Sequence, residues 1–216
     1  MMRELPAEDQ HSPRVRRKRR HARQEILQAA RQILRERGID AVTLESVGGA
    51  LGMTRQALYH YFPSKEALVR RFVASLIEDE VETLVAAVEA TAPVEVTLGT
   101  LIRAFYNHYI NNLAEFRAVY CQLQLYTSPE AAMDQETIRQ QVNPQTQYLF
   151  DRLEARLAAR STVPPERLRR LAFVAWTSAL GLITMIGVAD ALNDPLIHAD
   201  KDLLDTLAEV FERSSA

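Results

Sequence analysis

The chain has 216 residues, 47% apolar content, 7 glycines, one cysteine and a formal net charge of −2. That length allows a substantial core with a small appended domain, and the long periodic apolar segments argue for an all-α protein. Cys121 stands alone, which excludes an internal disulfide; a reducing cytoplasm is the expected location, with this thiol a small core residue.

At the amino end, residues 1–21 are expected to form a basic, disordered arm. Arg14, Arg16, Arg17, Lys18, Arg19, Arg20 and Arg23 crowd together there, and no apolar run of the secretory type follows them. Such an arm suits a minor groove or a row of phosphates, with Arg16, Arg17, Lys18, Arg19 and Arg20 as its candidate contacts. Charge follows the same division. Residues 1–70 hold 14 Lys+Arg against 8 Asp+Glu, whereas the remainder holds 12 against 20. Positive charge therefore gathers where an anionic polymer would be held, and the acidic remainder would be repelled from it.

The segment Thr43 to Lys65, TLESVGGALGMTRQALYHYFPSK, predicts two short helices joined by a glycine turn. Leu44, Val47, Gly48 and Leu51 recur at helical spacing, with Thr43 as N-cap and Gly52 as the left-handed stop. Thr54 caps the next helix, and Met53 and Leu58 are spaced as a hydrophobic staple. Ala57, Leu58 and Tyr61 form its inner face, leaving Arg55, Gln56, Tyr59 and His60 outward. Pro63 ends it, and Ser64 caps a third helix starting at Lys65. This is the pattern of a helix-turn-helix, whose second helix enters the major groove. Arginine and glutamine can read base edges bidentately, while tyrosine and lysine can hold phosphates.

Leu58 to Lys65, LYHYFPSK, resembles the closing motif of the DNA-binding domain in the TetR family of transcriptional regulators. The resemblance covers about residues 24–68. It implies a three-helix domain over residues 22–68, opening with a helix over 23–37 whose inner stripe is Ile26, Ala29, Ala30, Ile33 and Leu34. It also implies roles: Thr43 and Thr54 at phosphates, Arg55 and Gln56 at base edges, Tyr59 and Tyr61 at backbone or thymine methyls. His60 would sit at the groove and Lys65 on a phosphate. Ala57 departs from the polar residue many relatives carry, which removes a hydroxyl contact.

Residues 69–216 are expected to form a helical ligand-binding and dimerisation domain. A long helix is predicted from Lys65 towards Ala90, with Leu68, Phe72, Leu76 and Leu84 inside. A second, from Pro93 to about Asn112, turns Leu98, Leu101, Ile102, Phe105 and Tyr109 inward. A third runs from Glu115 to Leu125. A polar stretch over 128–143 follows, broken at Pro144, then a helix to about Arg160. Leu171 to Ala189 carries no charge over 19 residues. As a helix it would span roughly 28 Å, close to a bilayer's hydrocarbon thickness. An all-round apolar helix also suits the centre of an oligomer, the preferred assignment here. Ala175, Ala179 and Gly181 are small enough to admit a partner helix. A final helix, about Asp200 to Arg213, presents Leu203, Leu204, Leu207, Val210 and Phe211.

The resemblance implies a homodimeric regulator that binds an inverted-repeat operator in double-stranded DNA and is released by a small-molecule effector. Candidate effector contacts are Phe105, Tyr109, Tyr120, Gln124, Tyr148 and Trp176, which combine ring surface with hydrogen-bonding tips. The alternative is a ligand-independent architectural or protein-recruiting factor of the same fold. No cofactor, metal or membrane partner is expected, the five histidines being scattered. No nucleophile–base pair, carboxylate pair or phosphate-cradling loop suggests an enzyme.

Overall fold

A computed structural model describes residues 12–90, 96–121, 136, 138–159 and 163–215. Those residues are helical throughout, apart from short turns, and none of them is in a strand. The chain divides into two compact units, residues 1–73 and 74–216, a few residues beyond the boundary expected at 68/69.

In the first unit, α1 spans Pro13–Arg37 and buries Ile26, Ala30, Ile33 and Leu34. It begins about ten residues earlier than expected, so Arg14 to Arg23 are its opening turns and not an irregular arm. Arginine and lysine are good helix formers, and Pro13 occupies the first helical position, where its fixed φ fits and its missing N–H is not needed. Gly38 closes the helix with its N–H on the Leu34 carbonyl. A 3₁₀ turn over Ile39–Ala41 leads to α2 (Leu44–Leu51) and α3 (Arg55–Tyr59). Helix α1 packs on α2 and on the 3₁₀ turn, and α2 packs on α3. Leu58 and Phe62 complete this small core; burying each contributes about 1.5–3 kcal/mol relative to exposure.

Helix α4 (Lys65–Ala90) contains the division between the units. Its buried positions Leu68, Phe72, Leu76, Leu84 and Val88 fall four or eight residues apart, and Glu80 occupies the remaining place in that row. The second unit continues with α5 (Thr97–Tyr109), which buries Leu98, Leu101, Ile102, Phe105 and Tyr109. Helix α6 (Leu113–Phe116) opens into a wide π-type turn over Arg117–Cys121; the later part of the helix expected to Leu125 lies outside the described residues.

Pro144 marks the start of a new helix, as expected. It sits in the first turn of α7 (Asn143–Ala158), which a second wide turn, Ile138–Val142, leads straight into. A proline there lacks only an N–H that the first turn leaves without a helical partner.

Helix α8 (Pro165–Leu192) packs along α5, α7 and α9 (Asp200–Ser215). Its inner face is Leu168, Ala172, Ala175, Ala179, Ile183 and Ile186. Ala175 and Ala179 therefore serve the body's own packing and not an outer seam, a correction to their expected role; Gly181 is exposed. Phe173, Val174, Met185, Val188 and Leu192 face outward. Helix α9 divides likewise: Leu204, Ala208 and Phe211 point inward, Leu203 and Leu207 are half-buried beside them, and Val210 is exposed. Among the described residues α8 is the one helix long and apolar enough to cross a membrane, with 28% of its most apolar window buried.

Candidate functional site

The reading face begins with local capping. Thr43 Oγ1 accepts from the Ser46 N–H at 3.0 Å while Ser46 Oγ accepts from the Thr43 N–H at 3.0 Å, closing a reciprocal cap on α2. The Thr43 hydroxyl, expected at a phosphate, is thus already engaged in holding α2. Gly52 takes the left-handed conformation at φ 64°, ψ 24° and lets the chain turn sharply into α3. Thr54 Oγ1 then accepts from the Ala57 N–H at 3.2 Å, and Ser64 Oγ does the same for Ala67 at the start of α4. With its ends capped, α3 needs only Leu58 as an anchor.

Arg55, Gln56, Tyr59, His60 and Lys65 are exposed, as is Thr54, while Tyr61 is half-buried in the turn after α3. Arg55 does not wave free. Its Nη2 donates to the Tyr59 hydroxyl at 2.8 Å, and the guanidinium lies 5.5 Å from the ring centroid. The i, i+4 pair fixes the guanidinium over one turn of helix and leaves other N–H donors for a bidentate partner. Ala57 is half-buried beside its cap.

The basic stretch presents two sides. Arg19 Nη2 donates to the His60 carbonyl at 3.0 Å, tying the opening turns of α1 to the end of α3. Lys18 and Arg19 line a hollow with His60 and Tyr61. Around the helix, Arg16, Arg19, Arg20 and Arg23 meet Arg71 of α4 about a concavity of about 390 Å³. Arg17 is exposed. So many guanidinium groups on adjoining faces form a strongly anion-attracting surface.

In the second unit, the effector candidates separate. Tyr120 and Trp176 line a cavity of about 160 Å³, whose wall also includes Phe150 and Glu80. Phe105 and Tyr109 are fully buried behind it. Phe105 lies 6.0 Å from Tyr120 and 6.5 Å from Trp176 between ring centroids. Tyr148 is not among the lining residues; it is 49% exposed on α7. Gln124 lies outside the described residues.

Glu80, absent from the expected set, is the polar centre. It is 2% exposed, and its carboxylate accepts from the Tyr109 hydroxyl at 2.5 Å and the Tyr120 hydroxyl at 2.6 Å. Burial pushes its carboxyl above the ordinary range, against the opposing effect of these hydrogen bonds. Burial and the adjoining acid also push both phenols well above theirs. The sequence signal was available: an acid on the apolar i, i+4 row Phe72–Leu76–Glu80–Leu84.

Comparison with known proteins bears on both units. Residues 26–72 match the family model described as bacterial regulatory proteins, tetR family. Over 57 residues the chain is 35% identical to the HTH-type transcriptional repressor KstR2 of Rhodococcus jostii, covering 26% of this chain and 28% of that one. Over 136 residues it is 26% identical to the HTH-type transcriptional regulator AlkX of Mycobacterium tuberculosis, covering 63% and 60% respectively. The alignments thus span less than two thirds of either curated relative. Among solved structures, the transcriptional regulator FadR of Bacillus subtilis, in complex with stearoyl-CoA, superposes with a TM-score of 0.62 at 15% identity. That match covers 87% of this chain and 96% of FadR, and it shows a shared fold.

Proposed function

Because the chain belongs to the TetR family of bacterial regulatory proteins, we propose that it is a homodimeric cytoplasmic regulator of transcription, acting as a repressor. Two copies bind an inverted-repeat operator through α3. Arg55 and Gln56 read base edges, Tyr59 and Tyr61 contact the backbone or thymine methyls, and His60 sits at the groove. Thr54 and Lys65 hold phosphates, while the cap at Thr43 fixes the start of α2 beside them. The observation that carries this is the exposed Arg55–Tyr59 pair on a short helix capped at its start and preceded by the left-handed Gly52.

The arginines of α1 add phosphate contacts beside the reading helix. Arg16, Arg17, Lys18, Arg19 and Arg20 then act from a helix, so they follow the backbone and do not enter a minor groove as an extended strand would. The dimer forms through the outward apolar faces of α8 and α9, since one short helix reads too few base pairs for useful selectivity.

A small molecule in the second unit's cavity acts as effector by binding more tightly to the form that does not fit the operator. KstR2 is named as a repressor and FadR as holding stearoyl-CoA; both support the reading for this chain. The test is selection of bound fragments from random DNA by the purified chain, followed by competition at rising salt. Enrichment of an inverted repeat is expected, whereas recovery of an unenriched pool would contradict the reading.

A further inference from the structure

Among the described residues, the cavity in the second unit has one charged side chain on its wall, Glu80, and none of its hydrogen-bond partners there is a cation. Glu80 is held by two phenol hydroxyls, and the buried indole N–H of Trp176 lies close by without completing a normal hydrogen bond. The rest of the wall is aliphatic or aromatic, with Ile77 and Val81 on α4 and Leu149 and Phe150 on α7; Thr146 adds one hydroxyl. An acid here interrupts a row that leucine or valine would otherwise complete. Two tyrosines satisfy part of its acceptor capacity, and a carboxylate offers about four lone-pair sites.

We propose that this cavity receives a compact apolar cation, its charge facing the Glu80 carboxylate and its body against the rings of Tyr120, Phe150 and Trp176. This rests on the reading that the second unit binds an effector. Aromatic faces attract a cation most strongly where water is excluded, and no cationic side chain stands among the described residues of the wall to meet the carboxylate. At about 160 Å³, the space suits one small ring with a short cationic head. It is below the roughly 300–1,000 Å³ of pockets for drug-sized ligands.

The arrangement also links binding to protons. Burial shifts Glu80 towards the protonated acid and an entering cation shifts it towards the carboxylate, so at a pH where the acid holds its proton, that proton leaves to solvent as the cation arrives. The other titratable groups nearby are Tyr109 and Tyr120, which touch Glu80 directly. Beyond them, Glu115 acts on Tyr109, and the His108 ring stands 4.6 Å from the Tyr109 ring. The α7 and α8 residues on the wall are uncharged.

Trp176 is the chain's one tryptophan, so its emission reports occupancy of the cavity. The full chain is titrated with phenyltrimethylammonium and with its uncharged isostere tert-butylbenzene, and calorimetry in buffers of different ionisation enthalpy counts released protons. We expect the cation to bind at least tenfold more tightly, with proton release that fades as pH rises. Glu80→Gln keeps the side chain's shape and one acceptor oxygen for the two tyrosines, and it should lose the preference for the cation over tert-butylbenzene. Equal binding of both probes, or a preference that survives in E80Q, would overturn the charge selection while leaving the cavity as an effector site. Failure of both probes to perturb Trp176 would overturn the charge selection and the cavity's role as effector site together.

Discussion

Gly48 sets how closely the two helices of the reader can approach. A Cβ on it would stand 2.8 Å from the Met53 carbonyl oxygen and 3.2 Å from Leu58 Cδ1. The first neighbour is backbone, so it cannot swing aside. Gly48→Ala should lower stability by about 1–3 kcal/mol through overpacking, read as a lower denaturant midpoint; an unchanged midpoint would mean the turn gives way easily. Arg55 belongs to recognition, not to folding. Arg55→Ala should leave thermal stability nearly unchanged, weaken specific binding by about 1–3 kcal/mol and relax preference at one base position. Glu80 makes a pH prediction. Its folded carboxyl titrates above the ordinary value of 4.5, so the folded state holds a proton that the unfolded state gives up first. The chain should therefore lose stability as pH rises from that value through the folded pKa. The melting temperature of Glu80→Gln should exceed that of the parent increasingly over this range, and a constant difference would contradict the assignment.

At the scale of elements, what was legible in sequence depended on how local its cause was. Thr43, Gly52, Thr54 and Ser64 act on neighbours within a few residues, and their spacing alone located α2, α3 and the start of α4. The opening of α1 was missed because Arg14 to Arg23 carry almost no apolar periodicity; helix propensity and Pro13 at the first position suffice there. Helix α8 is apolar on all sides, so periodicity could not say that Ala175 and Ala179 face inward while Met185 and Val188 face out. Glu80 stood in plain view on an apolar row, yet its partners Tyr109 and Tyr120 come from residues 29 and 40 positions away, which spacing cannot pair. The helical form of the basic stretch has a measurable consequence. Replacing Arg16, Arg19 and Arg20 together with glutamine should weaken binding to operator and random DNA alike. The salt slope of log K should also fall by about 0.9 for every phosphate these side chains no longer neutralise. Loss of operator preference with an unaltered slope would instead mean that these residues read bases.

For the whole molecule, the outward residues of α8 are the main structural argument for pairing. Val174, Ser178, Gly181, Met185, Val188 and Leu192 alternate at four and three residues, the spacing of a helix–helix seam. Five of the six are exposed and Ser178 is half-buried. Leu203, Leu207 and Val210 of α9 offer a parallel stripe. Met185→Asp with Val188→Asp should give a folded monomer by sedimentation equilibrium, because neither side chain supports the body's own core. Such a monomer should bind an operator far more weakly than the parent. The most direct test of the central claim is the stoichiometry of the chain on DNA selected from a random pool, measured by mass in solution. Two copies on a pair of inverted half-sites, centred about one helical turn or a multiple of it apart, is the predicted result; one copy on a lone half-site, or no selected sequence at all, would contradict it.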